Sequence, residues 1–257
     1  MFNPKGVSMS VSELLFELAS DERVAMLTQM ESQPLRQSDV ARKLSLTVQE
    51  ASRQLERLTD ARLVSKDSES RYSVTSFGRI VLAILPSLSF VQQQRDFLLT
   101  HDLSSLPLTF LHRIGELSNH RSINKIDEVM AHLEQVIKGA GKYVWIMADQ
   151  NVRQAYPHEH PAAVPFKVIL PKSVDSETIQ ILRTRIGSTL QIARMAEVKL
   201  TITMNEKTSA VYFQNRDGEM DFMRGFASEE ATFHRWCEDI YSFFWRQAYA
   251  GAASSAP

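Results

Sequence analysis

The chain has 257 residues, 44% hydrophobic and 23% charged, with 29 Lys/Arg against 30 Asp/Glu and a formal net charge of −1. That length holds two domains of ordinary size, and the near-neutral balance excludes a whole-molecule attraction for nucleic acid or an anionic membrane. The single cysteine, Cys237, excludes an intrachain disulfide or a cysteine metal cluster within one chain; with no signal peptide in MFNPKGVSMSVSELLF and no run of ~18 uncharged apolar residues, no membrane contact and a cytoplasmic location are expected.

Taken in order, Val11 to Ala19 reads as a short amphipathic helix with Leu14, Leu15 and Leu18 inward. Ser20-Asp21 caps a second helix, Glu22 to Glu31, with Val24, Leu27 and Met30 inward. Pro34 breaks the chain, and Leu35 sits where a short strand would lie. QSDVARKL, from Gln37, is a third helix with Val40, Ala41 and Leu44 inside, and Leu46 plugs the turn after it. Thr47 and Glu50 form a T-x-x-E capping box that opens a longer helix. Val48, Ala51, Leu55 and Leu58, three or four apart, make its buried stripe. Leu63-Val64 and Tyr72-Ser73-Val74 are β-prone runs around the polar segment Ser65 to Arg71.

This order outlines a winged helix-turn-helix, a module that lays its second helix in the DNA major groove. The outward face of that helix carries Gln49, Ser52, Arg53, Gln54, Glu56 and Arg57, beside Thr47 and Glu50 of the cap. Gln and Arg grip base edges bidentately, and Ser bonds a base edge or a phosphate. Lys66 and Arg71 of the wing are placed for backbone phosphates. Against this, Glu50 and Arg53 at i, i+3 can pair with each other. From Gln37 to Val74 there are seven Lys/Arg against six Asp/Glu, so phosphate affinity per subunit is modest and a dimer would double it.

Thr75-Ser76 caps the next helix, with Phe77, Ile80, Val81, Ile84 and Leu85 on its apolar side and Pro86 interrupting it. The pattern resumes with Leu88, Val91, Phe97 and Leu98. This is more apolar surface than one domain covers, and a homodimer contact is the expected use; packing on the second half of the same chain is the alternative. A linker composition spans His101 to Pro107. The expected domains are residues 1–76 (winged helix), 77–106 (connecting and dimerisation helices) and 107–250 (α/β), with a disordered tail at 251–257.

In the second domain, Leu108 to Leu117 is a short helix. Ile126 to Lys138 is an amphipathic one, with Ile126, Val129, Met130, Leu133, Val136 and Ile137 inward. Tyr143 to Ala148 is an uninterrupted apolar run typical of a strand buried on both faces, with Tyr143 and Trp145 in the core. Val152 to Tyr156 reads as a short helix or turn. Phe166 to Leu170 is a second strand, Ser176 to Ile186 a helix, and Glu197 to Met204 and Ala210 to Phe213 further strands. NRDG at Asn215 to Gly218 is a turn, and Met220 to Phe226 an edge strand. Ser228-Glu229-Glu230 caps a final helix to about Ala250, with Phe233, Trp236, Cys237, Ile240, Tyr241, Phe244 and Trp245 apolar. Alternating helix and strand indicate an α/β domain behind the α+β winged one.

The runs KYVWIMADQ, VPFKVILPKS, KLTITMNEKTSAVYF and DGEMDF, and the ending FHRWCEDIYSFFW, resemble in this order the archaeal winged-helix transcription regulators with a methanogenesis-regulator middle domain. The resemblance covers nearly the whole chain, and Trp236-Cys237…Trp245 and Asn205-Glu206-Lys207 are its more specific parts. It implies a dimeric one-component regulator, with an effector-sensing sheet flanked by helices like one half of a phospholipase-D-type fold. It does not name the effector.

No catalytic residue, metal or cofactor is expected. The H-x-K that phospholipase-D chemistry requires is missing, as are a phosphate-cradling glycine loop, a G-x-S-x-G elbow and an H-E-x-x-H helix. His158 and His160 around Glu159 could supply part of a metal site, with a solvated loop as the bland alternative. Cys237, among aromatics, reads as a buried inert thiol. Open α/β sheets bind ligands beyond the carboxyl ends of their strands, which singles out Asp149, Gln150, Asn151, Lys172 and Ser173; Lys172 would suit an anion, or be a plain surface lysine. The expected partners are double-stranded DNA, a second copy and a small-molecule effector. The rivals are a hydrolase or phosphodiesterase in the second domain, and a protein-interaction adaptor.

Overall fold

The computed structural model describes residues 9–149 and 164–253. Contacts divide the chain into two units, Met1–Leu85 and Pro86–Pro257. The division falls inside one helix, α5 (Ser76–Gln93), because Val81 and Leu82 are buried in the core of the first unit.

The first unit runs α1 (Val11–Leu18), α2 (Asp21–Glu31), β1 (Leu35–Arg36), α3 (Gln37–Lys43), α4 (Val48–Asp60), β2 (Val64–Lys66), β3 (Arg71–Val74) and the start of α5. The strands form an antiparallel sheet of order β1-β3-β2, with Leu35 opposite Tyr72 and Val64 opposite Val74. This is the winged helix-turn-helix arrangement. Its core is Met26, Leu27, Met30, Val40, Ala41, Ala51, Leu55, Leu58, Leu63 and the inward residues of the wing. Val24, expected inward, is half-buried; the buried face of α2 instead includes Arg23 and Met26.

Both helices of the helix-turn-helix end in the same way. After α3, Leu46 N–H donates to Ala41 O at 2.9 Å and Ser45 N–H to Arg42 O at 3.4 Å, with Ser45 at φ 55°. After α4, Leu63 N–H donates to Leu58 O and Arg62 N–H to Thr59 O, both at 2.9 Å, with Arg62 at φ 59°. These are Schellman closures, with Ser and Arg where glycine is usual. Gly78 in α5 is required sterically: a Cβ there would lie 2.2 Å from Leu63 O.

The second unit holds α6 (Arg95–Thr100), β4 (His101–Asp102), α7 (Leu108–His112), a 3-10 turn (Ile114–Leu117), β5 (Arg121–Ile123), α8 (Ile126–Lys138), β6 (Val144–Met147) and β7 (Phe166–Pro171). It continues with α9 (Ser176–Ile186), β8 (Leu190–Met195), β9 (Leu200–Asn205), β10 (Ser209–Asn215), β11 (Met220–Ser228) and α10 (Ala231–Ala253). Among the described residues the strands make one eight-stranded mixed sheet of order β5-β11-β10-β9-β6-β7-β8, with β4 beside β10. The β6-β7-β8 edge is parallel and the remainder antiparallel.

Period-2 alternation feeds two cores. Val144, Ile146, Val168 and Leu170 pack with Leu133, Val136 and Ile137 of α8 and Leu182 and Ile186 of α9. Met147, Ile169, Ile202, Val211 and Phe213 pack on the opposite side with Phe233, Trp236, Ile240 and Tyr241 of α10. The indole of Trp236 donates to Phe110 O at 3.2 Å, and the Tyr241 hydroxyl to Lys167 O at 2.8 Å. Tyr143 and Trp145 are partly buried against this core, and Cys237 is fully buried.

The structure corrects several element assignments. β11 is internal, flanked by β5 and β10, because three residues of β5 cover its outer edge. β8 and β5 had no counterpart in the sequence reading. Ile126 and Met130 of α8 are exposed, and His132 takes the buried position. Val152 to Tyr156, and His158, Glu159 and His160, lie outside the described residues.

Candidate nucleic-acid interface

Helix α4 is started by a complete capping box. Glu50 N–H donates to Thr47 Oγ1 at 3.2 Å, and the Glu50 carboxylate receives the Thr47 N–H at 2.9 Å. These bonds hold the Glu50 pKa below its usual value, with a smaller contribution from the field of Arg53. Thr47 and Glu50 therefore fix where α4 begins, a structural role beside any contact they make outside. Ala51, Leu55 and Leu58 face the core. Val48, expected with them, is 58% exposed, because at the first turn its side chain stands on the outward face. Gln37 Nε2 donates to Val48 O at 3.0 Å and ties the start of α3 to the start of α4.

Gln49, Ser52 and Arg53 are exposed on the first two turns of α4. That end of a recognition helix is the one that meets base edges in helix-turn-helix proteins. Arg36, Arg42, Lys43 and Lys66 are exposed in the same unit, Arg42 paired to Asp39 at 2.8 Å.

Gln54 and Arg57, further along α4, are already engaged. Arg57 donates twice to Glu17 of α1, at 3.0 and 2.7 Å, and lies 5.2 Å from the Phe16 ring centre. The Arg57 bond is the main reason the Glu17 carboxyl titrates below its usual value. Gln54 Oε1 accepts from Arg23 Nη1 at 3.0 Å. Buried Arg23 also donates to Glu17 O at 2.6 Å, a carbonyl that the end of α1 leaves open, and to Phe16 O at 2.9 Å, which accepts from Ala19 N–H as well. The C-terminal part of α4 is thus clamped to α1.

The sequence reading missed Arg23, although one signal was present. It is an arginine in helical phase with Met26, Leu27 and Met30, on the side of α2 that must be buried.

The wing is closed on itself. Arg71 donates to Asp67 at 2.9 Å and contacts Glu69 at 3.1 Å, so its charge is neutralised locally. Lys66 Nζ lies 5.4 Å from the Tyr72 ring centre, a cation–π distance.

In the second unit, Lys172 and Ser173 are exposed in the turn after β7, and Asp149 is half-buried after β6. Lys172 N–H donates to Met195 O at 2.7 Å. Gln150 and Asn151 lie outside the described residues. No group of three or more His, Cys, Asp or Glu suited to a metal ion occurs among the described residues. No helix among them is long and apolar enough to cross a membrane.

Residues 12–95 match the family model of the HVO_A0261 N-terminal domain. No curated protein matches the chain. Among solved structures, the archaeal chromatin protein TrmBL2, described as showing a novel mode of DNA binding, is 10% identical, with 91% of this chain and 93% of that one covered and a TM-score of 0.37. The dimethyltransferase RosA from Streptomyces davawensis is 12% identical over 72% and 63%, with a TM-score of 0.27. An O-methyltransferase family protein from Burkholderia thailandensis is 10% identical over 73% and 64%, with a TM-score of 0.25. These scores are too low to argue a shared fold.

Proposed function

We propose that the chain is a DNA-binding transcription regulator of the cytoplasm, working as a homodimer without enzymatic activity of its own. The observation that carries this reading is the free outward face of α4. Gln49, Ser52 and Arg53 stand exposed at the N-terminal end of the second helix of a helix-turn-helix, with the wing beside it. Arg53 is the residue for base readout, with Gln49 and Ser52 beside it. Exposed Val48 adds an apolar contact suited to a thymine methyl. Lys66, Arg36 and Lys43 supply phosphate contacts.

Dimerisation is supported by α5. Phe77, Ile80 and Ile84 recur three and four residues apart and are 41%, 62% and 55% exposed. An apolar stripe of this kind is what a second copy would cover. Two reading helices then engage two half-sites, and the affinity that one nearly neutral module lacks is doubled. The second unit is the sensing half, biasing the dimer between states on binding a small molecule.

The test is a mobility shift with duplex DNA from upstream of the chain's own reading frame. Arg53→Ala should weaken binding by about tenfold and relax base preference at one position per half-site, as loss of a bidentate base contact does. Unchanged affinity and preference would overturn the groove assignment.

A further inference from the structure

The second unit contains a cavity of about 160 Å³ whose walls are Met147, Met195, Val198, Leu200, Phe244 and Ser105. Met147 is the last residue of β6 and Met195 the last of β8. The cavity therefore opens beyond the carboxyl ends of parallel strands, where open α/β sheets take their ligands. Phe244 comes from α10, and Ser105 from the segment between β4 and α7.

Four features define what fits. The volume is close to that of apolar protein cavities on the order of 150 Å³ that hold benzene, so it admits one six-membered ring and little more. The lining is apolar, and two methionines give it the polarisable contact that aromatic rings favour. One uncharged polar group breaks that lining: Ser105 Oγ is shut off from solvent and has no hydrogen-bond partner among the described residues. A buried hydroxyl left unmatched costs free energy that a ligand's hydroxyl or carbonyl would recover. Finally, Glu197 and Lys199, also at the pocket, lie 3.4 Å apart as an ion pair, so there is no net charge to attract an ionic ligand.

We propose that this cavity is the binding site for a small neutral aromatic molecule carrying one hydrogen-bonding group, of which phenol is the simplest probe. The ring lies among Met147, Met195, Leu200 and Phe244, and the polar group meets Ser105. The pocket wall holds Met147 and Met195 rather than Asp149, Lys172 or Ser173, although Lys172 N–H donates to Met195 O at 2.7 Å. Its role as an effector site rests on the regulator reading above; the binding itself does not.

The test uses the full chain carrying ¹³C-methyl methionine, with the Met147 and Met195 signals assigned through Met147→Leu and Met195→Leu. Phenol should shift both methyls saturably, with a Kd near about 1 mM for so small a ligand. Toluene should also bind. Ser105→Ala should weaken phenol by about five- to tenfold, the size of one neutral hydrogen bond, and leave toluene unchanged. Val198→Phe should abolish both by filling the space. Absence of a saturable shift with either probe overturns the site, and an equal effect of Ser105→Ala on both probes overturns the role of Ser105. A mobility shift without ligand separates the two claims. If phenol titrates the methyls while the protein ignores duplex DNA, the pocket stands and the regulator reading falls.

Discussion

The guanidinium of Arg57 forks around the carboxylate of Glu17 at 3.0 and 2.7 Å, joining the C-terminal half of α4 to the first helix of the chain. The two residues are 40 positions apart, and both are partly shielded from solvent. A cation held this way is not available to a phosphate. Glu17→Gln should release it, and the protein should gain one phosphate contact. The slope of log K against log salt should steepen by ~0.9 for that contact. Titrations by fluorescence anisotropy at several salt concentrations read this directly; an unchanged slope would show that Arg57 never reaches DNA even when freed.

Arg71 is the converse case. Asp67 and Glu69 neutralise it within the wing, and the Arg71 backbone N–H, followed by its guanidinium, holds the Asp67 carboxyl below the usual range. Arg71→Ala should therefore change the salt slope by much less than the ~0.9 expected of a phosphate contact. Lys66→Ala should lower it by about that amount. Equal effects of the two substitutions would mean that the Arg71 pairs open on the duplex.

Ser45 holds the left-handed conformation, φ 55°, between α3 and α4. An L residue there gives up about 1–2 kcal/mol that glycine does not, part of which glycine returns as chain entropy in the unfolded state. Ser45→Gly should stabilise the first unit by about 0.5–1 kcal/mol, read as a higher urea midpoint at constant m-value. A lower midpoint would show that the Ser45 side chain contributes more than its backbone costs.

His132 sets a pH dependence in the second unit. Burial lowers its pKa from 6.5 to about 4, with the charge of Arg121 adding to the effect. Arg121 Nη2 lies 3.4 Å from its Nδ1, and a hydrogen bond with the Thr203 backbone opposes the shift without cancelling it. The folded state keeps the ring neutral while the unfolded state takes up a proton below pH 6.5. Stability should thus be intact above about pH 6.5 and fall by up to about 3 kcal/mol as the pH drops to 4. His132→Gln should flatten that part of the urea-stability profile between pH 7 and pH 4.5. A variant with the same slope as the parent would assign the dependence to other groups.

The first unit was legible in the sequence because its local signals agree with one another. The T-x-x-E box starts α4, the Ala51, Leu55 and Leu58 spacing buries one face, and the β-prone pairs around a polar loop make the wing. The clamp on α4 was not legible, since nothing local couples Glu17 to Arg57 or Arg23 to Gln54. In the second unit the apolar runs of β6, β7 and β9 announced themselves. β8, LQIARM, did not, because it is the outermost strand and carries Gln and Arg where a central strand would be apolar. The buried face of α8 differs from the expected one because Ile126 and Met130 continue the apolar spacing but stay exposed, while the buried turn contains His132. The candidate ligand residues were placed by a rule about strand ends. The cavity that forms at those ends is lined instead by Met147, Met195 and Phe244, which sequence spacing presents as ordinary core.

The outward face of α4, proposed to lie against duplex DNA, has Ser52 at its middle. The single native cysteine, Cys237, is fully buried, and burial pushes its thiol up to about 12, so Ser52→Cys introduces one reactive thiol per chain. Coupled there to copper–phenanthroline, the protein should cut bound operator DNA in two clusters, one per half-site, separated by about one helical turn or a multiple of it. A labelled protein that still shifts the DNA but leaves it uncut would contradict the account.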